Sequence, residues 1–127
     1  MPLKEIFTEN APKPVGPYSQ AIVHGGLVFV SGQLAIEPGT SEKKLGSIED
    51  QTELVLRNLG AILSASGSSM DKVLKTTVYI SDIALFSRAN AVYAKAFGEH
   101  RPARAVVPTN ALPFGFAIEI EAVAAIN

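Results

Sequence analysis

The 127-residue sequence contains no cysteine. That excludes a disulfide framework, a thiolate nucleophile and a cysteine metal site, and leaves the fold to stand on packing. Long apolar runs are missing too. No segment approaches the ~20 apolar residues of a membrane span, and the opening MPLKEIFTENAPKP lacks the apolar core of a signal peptide. No membrane partner is expected, and the expected compartment is the cytoplasm, or an organelle if a targeting peptide has been removed. The net charge is only −1, with no basic stripe of the kind phosphate backbones require, so nucleic acid is not an expected partner. The only histidines are His24 and His100; they have no ligand spacing and no metal site is expected. His24 reads as a turn residue, and His100 and Arg101 as cations near a helix C-terminus. There is no glycine loop of Walker or dinucleotide type, no G-x-S-x-G elbow around Ser31 and no internal repeat.

What is present reads as a single domain over residues 1–127. The apolar share of 47% with 18% charged residues is rich for so small a chain, and oligomerisation is the economical explanation. SQAIVHGGLVFVSGQ is a hairpin, two apolar runs split by Gly25-Gly26. Its second run, Leu27 to Val30, is apolar on both pleat faces, which requires cover on both sides. In SIEDQTELVLRNLGAILSASG, Ile48, Thr52, Val55, Leu59, Ile62 and Leu63 make one helical stripe, with Ser47 and Asp50 spaced as a capping box and a stop near Gly67. VLKTTVYI is a central strand. SDIALFSRANAVYAKAFGEH is a second helix, capped by Ser81 or Asp82, with Phe86, Ala89, Tyr93, Ala96 and Phe97 on its apolar face. PARAVV and FAIEIEAVAAI close the chain as strands. The order is β-β-α-β-α-β-β, with a short extra strand at KEIF. Two helices cover one face of such a sheet, so the other face is expected to be buried between subunits.

Arg104 stands in the apolar run RPARAVVP, which reads as a buried strand, and a guanidinium there needs an anion because it stays charged at any ordinary pH. Pleat parity puts Arg104 and Val106 on one face and Ala103, Ala105 and Val107 on the other. The small residues suit helix packing, so Arg104 is expected to point the opposite way, toward the subunit interface. Glu119 and Glu121 alternate with Ile118, Ile120, Ala122 and Ala124, and are expected in the same layer as Arg104. Spacing alone leaves two readings level: an interfacial Arg–Glu pair, or an arginine that binds a substrate carboxylate while a glutamate handles water. Tyr18, in GPYSQ, is likewise open between a structural and a pocket-lining role, and the Pro/Gly clusters at 11–17 and 108–115 read as ordered loops near a site.

Taken together, TENAPKPVGPYSQA, VFVSGQL, VLKTTVYISDI with RANAVYAKAF, and RPARAVV with ALP and IEIEAVA resemble the RidA (YjgF/L-PSP) family of enamine/imine deaminases, in the family's order and over nearly the whole chain. The resemblance implies an α+β, chorismate-mutase-like fold, a mixed sheet with two helices on one face, assembled as a homotrimer with active sites between subunits. It implies hydrolysis of 2-imino acids, formed from enamines such as 2-aminoacrylate and 2-aminocrotonate, to 2-keto acids and ammonia, without a cofactor. Carried over by position, Arg104 holds the substrate carboxylate, Glu119 orients water or shuttles its proton, Tyr18 and Asn90 stand at the pocket, and Ser31 and Gly32 form part of its wall. Glu121 is taken as structural. The chain departs from the pattern at Val106, where many members carry cysteine, at Pro108, which is expected to end strand pairing, and at PFGF, residues 113–116, where the family is more charged. The competing readings are a 2-keto-acid binding or chaperone-like protein using the same cleft, and a ribonuclease, which the charge disfavours.

Overall fold

A computed structural model describes residues 2–127. In chain order the elements are β1 (Lys4–Ile6), β2 (Ala21–His24), β3 (Leu27–Gln33), α1 (Ile48–Ala65), β4 (Val73–Ile80), α2 (Phe86–Phe97), β5 (Ala103–Pro108) and β6 (Ile118–Ala125). The expected order holds, including the short strand within KEIF. The six strands form one mixed sheet, ordered β1-β2-β3-β6-β4-β5, in which only the β4–β5 pair is parallel. The architecture is α+β.

Both helices form where their apolar stripes predict. Ser47 caps α1, its hydroxyl accepting from the Asp50 N–H at 3.1 Å, and every residue of the expected stripe is buried. Gly67, just past the helix, takes a φ of +81° that suits glycine. α2 starts later than the cap residues suggest: the Asp82 carboxylate accepts from the Ala84 N–H and closes a 3-10 turn over Ile83–Leu85 before the helix begins at Phe86. Ala89, Tyr93 and Phe97 are buried, whereas Ala96, read as part of that face, is exposed. The helices pack against each other and against the face of the sheet that carries Val28, Val30, Thr76, Val78, Ile80, Ile118, Ile120, Ala122 and Ala124, all buried. The Thr76 hydroxyl and the Tyr93 phenol meet at 2.7 Å and tie β4 to α2 inside this layer.

Among the described residues no helix covers the opposite face. Phe29 is 46% and Val107 37% exposed there, and Glu119, Glu121 and Val123 of β6 are half-buried. The doubly apolar β3 therefore has one side against the helices, Val28 and Val30, and one side open.

Strand β5 differs from expectation in two ways. It is an edge strand, and within the chain it is exposed except for Val106. Its facing is also reversed. Arg104 pairs with Thr76 and Val106 with Val78, on the helix-covered face, while Ala103, Ala105 and Val107 pair with Lys75, Thr77 and Tyr79 on the open one. Small side chains did not mark the helix contact, because α2 leaves beside its aromatic residues a slot that a long guanidinium fills. Pairing does end at Pro108, as expected, with Ile80 opposite Pro108 as the last pair of the ladder, but the missing N–H is not the cause: the Thr109 N–H still donates to the Ile80 carbonyl at 2.8 Å. In a parallel ladder N–H groups alternate sides, so the missing N–H of Pro108 falls on the free edge.

Candidate functional site

Glu119 is placed by β6, opposite Tyr79 of β4 and beside a β-bulge in β3. Between Val30 and Gln33 the register slips by one residue, so that Ser31 and Gly32 together face Glu121. The bulge keeps Val30 and Gln33 both on the helix side, and it brings the backbone of Gly32 against the Glu119 carboxyl. A Cβ at residue 32 would collide with Glu119 Oε2 and lie 2.9 Å from its Cδ. Only glycine leaves the carboxyl where it is. Partial burial raises the Glu119 carboxyl above the ordinary carboxylate range, and the Glu121 carboxylate pushes it in the same direction.

Tyr18 and Ser31 come to the same place by a different route. The Ser31 hydroxyl donates to the Ser19 carbonyl at 2.6 Å and its N–H to the Gln20 carbonyl at 3.0 Å, so Ser31 fastens the Tyr18 loop to the bulge. Gln20, buried beneath the loop, has an amide that accepts from the Thr8 N–H and donates to the Thr8 and Pro12 carbonyls, at 2.7, 3.0 and 2.9 Å. The Tyr18 phenol oxygen accepts from the Val15 N–H at 3.2 Å. Tyr18, Ser31, Gly32, Glu119 and Glu121 thus line a cavity of about 480 Å³, with Val15, Leu34, Pro113 and Phe114 as its apolar lining. Both Pro/Gly loops border it, as expected.

Arg104 and Asn90 belong to a second cleft, on the other face of the sheet. Arg104 donates through Nη1 to Asn90 Oδ1 at 2.7 Å, and its guanidinium lies over the rings of Tyr93 and Phe86, 4.9 and 5.2 Å from their centroids. The cleft, about 390 Å³, also includes Arg101 and His100. The three ion pairs among the described residues do not include Arg104. Arg101 donates to the Gly98 and His100 carbonyls just past α2, in keeping with a cation at a helix end. His100 is bound more specifically than that: its Nε2 lies 2.7 Å from the Val73 carbonyl, which makes it a donor to the start of β4.

The expectation that Arg104 and the two glutamates share one layer is therefore not met within a chain. One half-site holds Tyr18, Ser31, Gly32 and Glu119, and another holds Arg104 and Asn90. The sequence reading missed Gln20 and the aromatic clamp on Arg104. The clamp had a signal, since Phe86, Asn90 and Tyr93 recur at helical spacing on the α2 face that meets β5. Among the described residues no cluster of His, Cys, Asp or Glu could hold a metal ion, and no helix is long and apolar enough to cross a membrane.

A RutC family protein of Pyrococcus horikoshii is 54% identical to this chain over 119 residues, covering 94% of each. The chloroplastic Reactive Intermediate Deaminase A of Arabidopsis thaliana is 48% identical over 119 residues, which make up 94% of this chain and 64% of that protein. A solved structure of Escherichia coli TdcF with bound serine superposes with a TM-score of 0.93 at 39% identity, over 98% of this chain and 99% of that one. The family profile described as Endoribonuclease L-PSP matches residues 8–126. The chain belongs to that family, the one that includes the RidA proteins.

Proposed function

We propose that the protein hydrolyses 2-imino acids, formed from enamines such as 2-aminoacrylate and 2-aminocrotonate, to 2-keto acids and ammonia, in sites assembled from two chains of a homotrimer. The observation that carries this reading is the division of the machinery. A clamped guanidinium without a carboxylate partner stands in one cleft, and a half-buried carboxyl disposed to hold a proton stands in the other. The clefts complement each other in charge, Arg101 and Arg104 against Glu119 and Glu121. The open sheet face, with Phe29 and Val107 exposed, supplies an apolar surface for association.

In this site Arg104 binds the substrate carboxylate through the donors its Asn90 contact leaves free. Glu119, from the neighbouring chain, orients a water against the imine carbon and passes protons between water and the departing nitrogen. A protonated imine is already electrophilic, so positioning and proton transfer suffice and the reaction needs no cofactor. Water adds to carbon, the C–N bond breaks, and R–C(=NH2+)–COO− becomes the keto acid and ammonium. Tyr18 closes the pocket, with the Ser31-Gly32 bulge as its wall.

The test generates 2-aminocrotonate with a threonine dehydratase and follows 2-ketobutyrate and ammonia. Wild type accelerates their release over spontaneous hydrolysis. Arg104→Ala loses on the order of 2–4 kcal/mol of transition-state binding, or roughly thirty- to a thousand-fold in rate. Binding of 2-ketobutyrate by a wild type that gives no acceleration would leave a keto-acid-binding protein instead.

A further inference from the structure

We propose that Phe114 sets the side-chain preference of this site, in favour of 2-imino acids with a branched or aromatic side chain over the smallest ones; this rests on the deaminase reading. The reacting carbon of a 2-imino acid is planar and carries three groups. If the carboxylate meets Arg104 and the nitrogen and attacking water lie by Glu119, the third group, the side chain, is left to the rest of the lining. Its apolar members are Val15, Leu34, Pro113 and Phe114.

Phe114 is built into this lining. Its backbone takes φ 60° and ψ 14°, a left-handed conformation uncommon for a bulky side chain, and Gly115 continues at φ +81°. The ring meets the buried Phe116 edge-on with centroids 6.3 Å apart, and the Lys43 ammonium lies 4.7 Å from its centroid. The ring is thus fixed by two neighbours and still 49% exposed. An exposed aromatic surface held in the lining of a pocket is suited to cover an apolar substituent.

The experiment compares 2-imino-4-methylpentanoate, made from leucine by an L-amino-acid oxidase, with 2-iminobutanoate, made from threonine by the dehydratase, and measures kcat/KM for each by trapping residual imine with semicarbazide. Expected is a ratio favouring the branched substrate in wild type, falling about tenfold in Phe114→Ala and largely restored in Phe114→Leu. An unchanged or increased ratio in Phe114→Ala overturns the assignment while leaving the deaminase reading intact. A wild type that accelerates neither reaction overturns that reading, and this inference with it. Circular dichroism and the oligomeric state of each variant separate loss of preference from loss of fold.

Discussion

At Glu119 the fold holds a carboxyl partly out of water beside a second carboxylate, and both effects favour the protonated form. An acid held more protonated in the folded than in the unfolded state adds stability below the ordinary carboxylate range, and that stability is lost as pH rises through the raised value. At neutral pH the charged group therefore costs stability. Glu119→Gln should melt higher than wild type at pH 7, with the difference shrinking as pH falls through the raised value toward the ordinary carboxylate range. Calorimetry of the two proteins across pH checks the sign, and the imine assay should show the same variant impaired. A lower melting temperature for Glu119→Gln at pH 7 would mean that a hydrogen bond to the carboxylate outweighs its burial. The types of the site residues were legible in the sequence; their relative placement was not. Parity told correctly that Arg104 opposes Ala103 and Ala105, but it cannot say which face is which. That was decided by α2, whose Phe86, Asn90 and Tyr93 receive the guanidinium.

The strands and helices followed from periodicity because their stripes are long and regular. The joints between them did not. The Ser31-Gly32 bulge inserts one residue into β3, and a period-two pattern carries no mark for that beyond the glycine itself. Residues 8–20 are tied down by the Ser31 contacts and, beneath them, by the buried Gln20 amide. Gln20→Leu would leave the Thr8 N–H and the Thr8 and Pro12 carbonyls without their partner, and should lower unfolding free energy by about 2 kcal/mol in urea titration. It should also raise proteolytic sensitivity of residues 8–20 before the rest of the chain. Loss of stability without local cleavage would show that the segment is held by other contacts. The exposed Glu49–Arg88 pair between the helices, at 2.7 Å, is expected to matter far less, because exposed ion pairs are screened and pay side-chain entropy.

For the molecule as a whole, the reading of two half-sites on opposite faces makes a demand that no monomer meets. Arg104→Ala and Glu119→Gln are each expected to be strongly impaired, but in different halves of the site. When the two are mixed, unfolded and refolded together, interfaces that pair an intact Arg104 with an intact Glu119 should reappear, and about a quarter of wild-type activity with them, as random head-to-tail pairing requires. Equal loss in the mixture and in the separate variants would place both residues in one chain's site. A wild type that runs as a monomer by light scattering would remove the shared cleft altogether. The uncovered sheet face was legible in the sequence as excess apolar surface on β3. Which residues lie on that face became clear only from register, since Ala103, Ala105 and Val107 are there with Phe29.

Pro108 has a consequence for solubility. Strand β5 ends the sheet, and an edge strand offers its outward N–H and C=O groups to any passing chain. At Pro108 the outward position has no N–H to offer, because the Thr109 N–H turned toward β4 does the pairing. The ladder inside the sheet loses nothing, while a foreign strand seeking to anneal along β5 meets a gap in the donor row. The proline thus guards the sheet's edge against unscheduled extension, beside the arginine assigned to substrate.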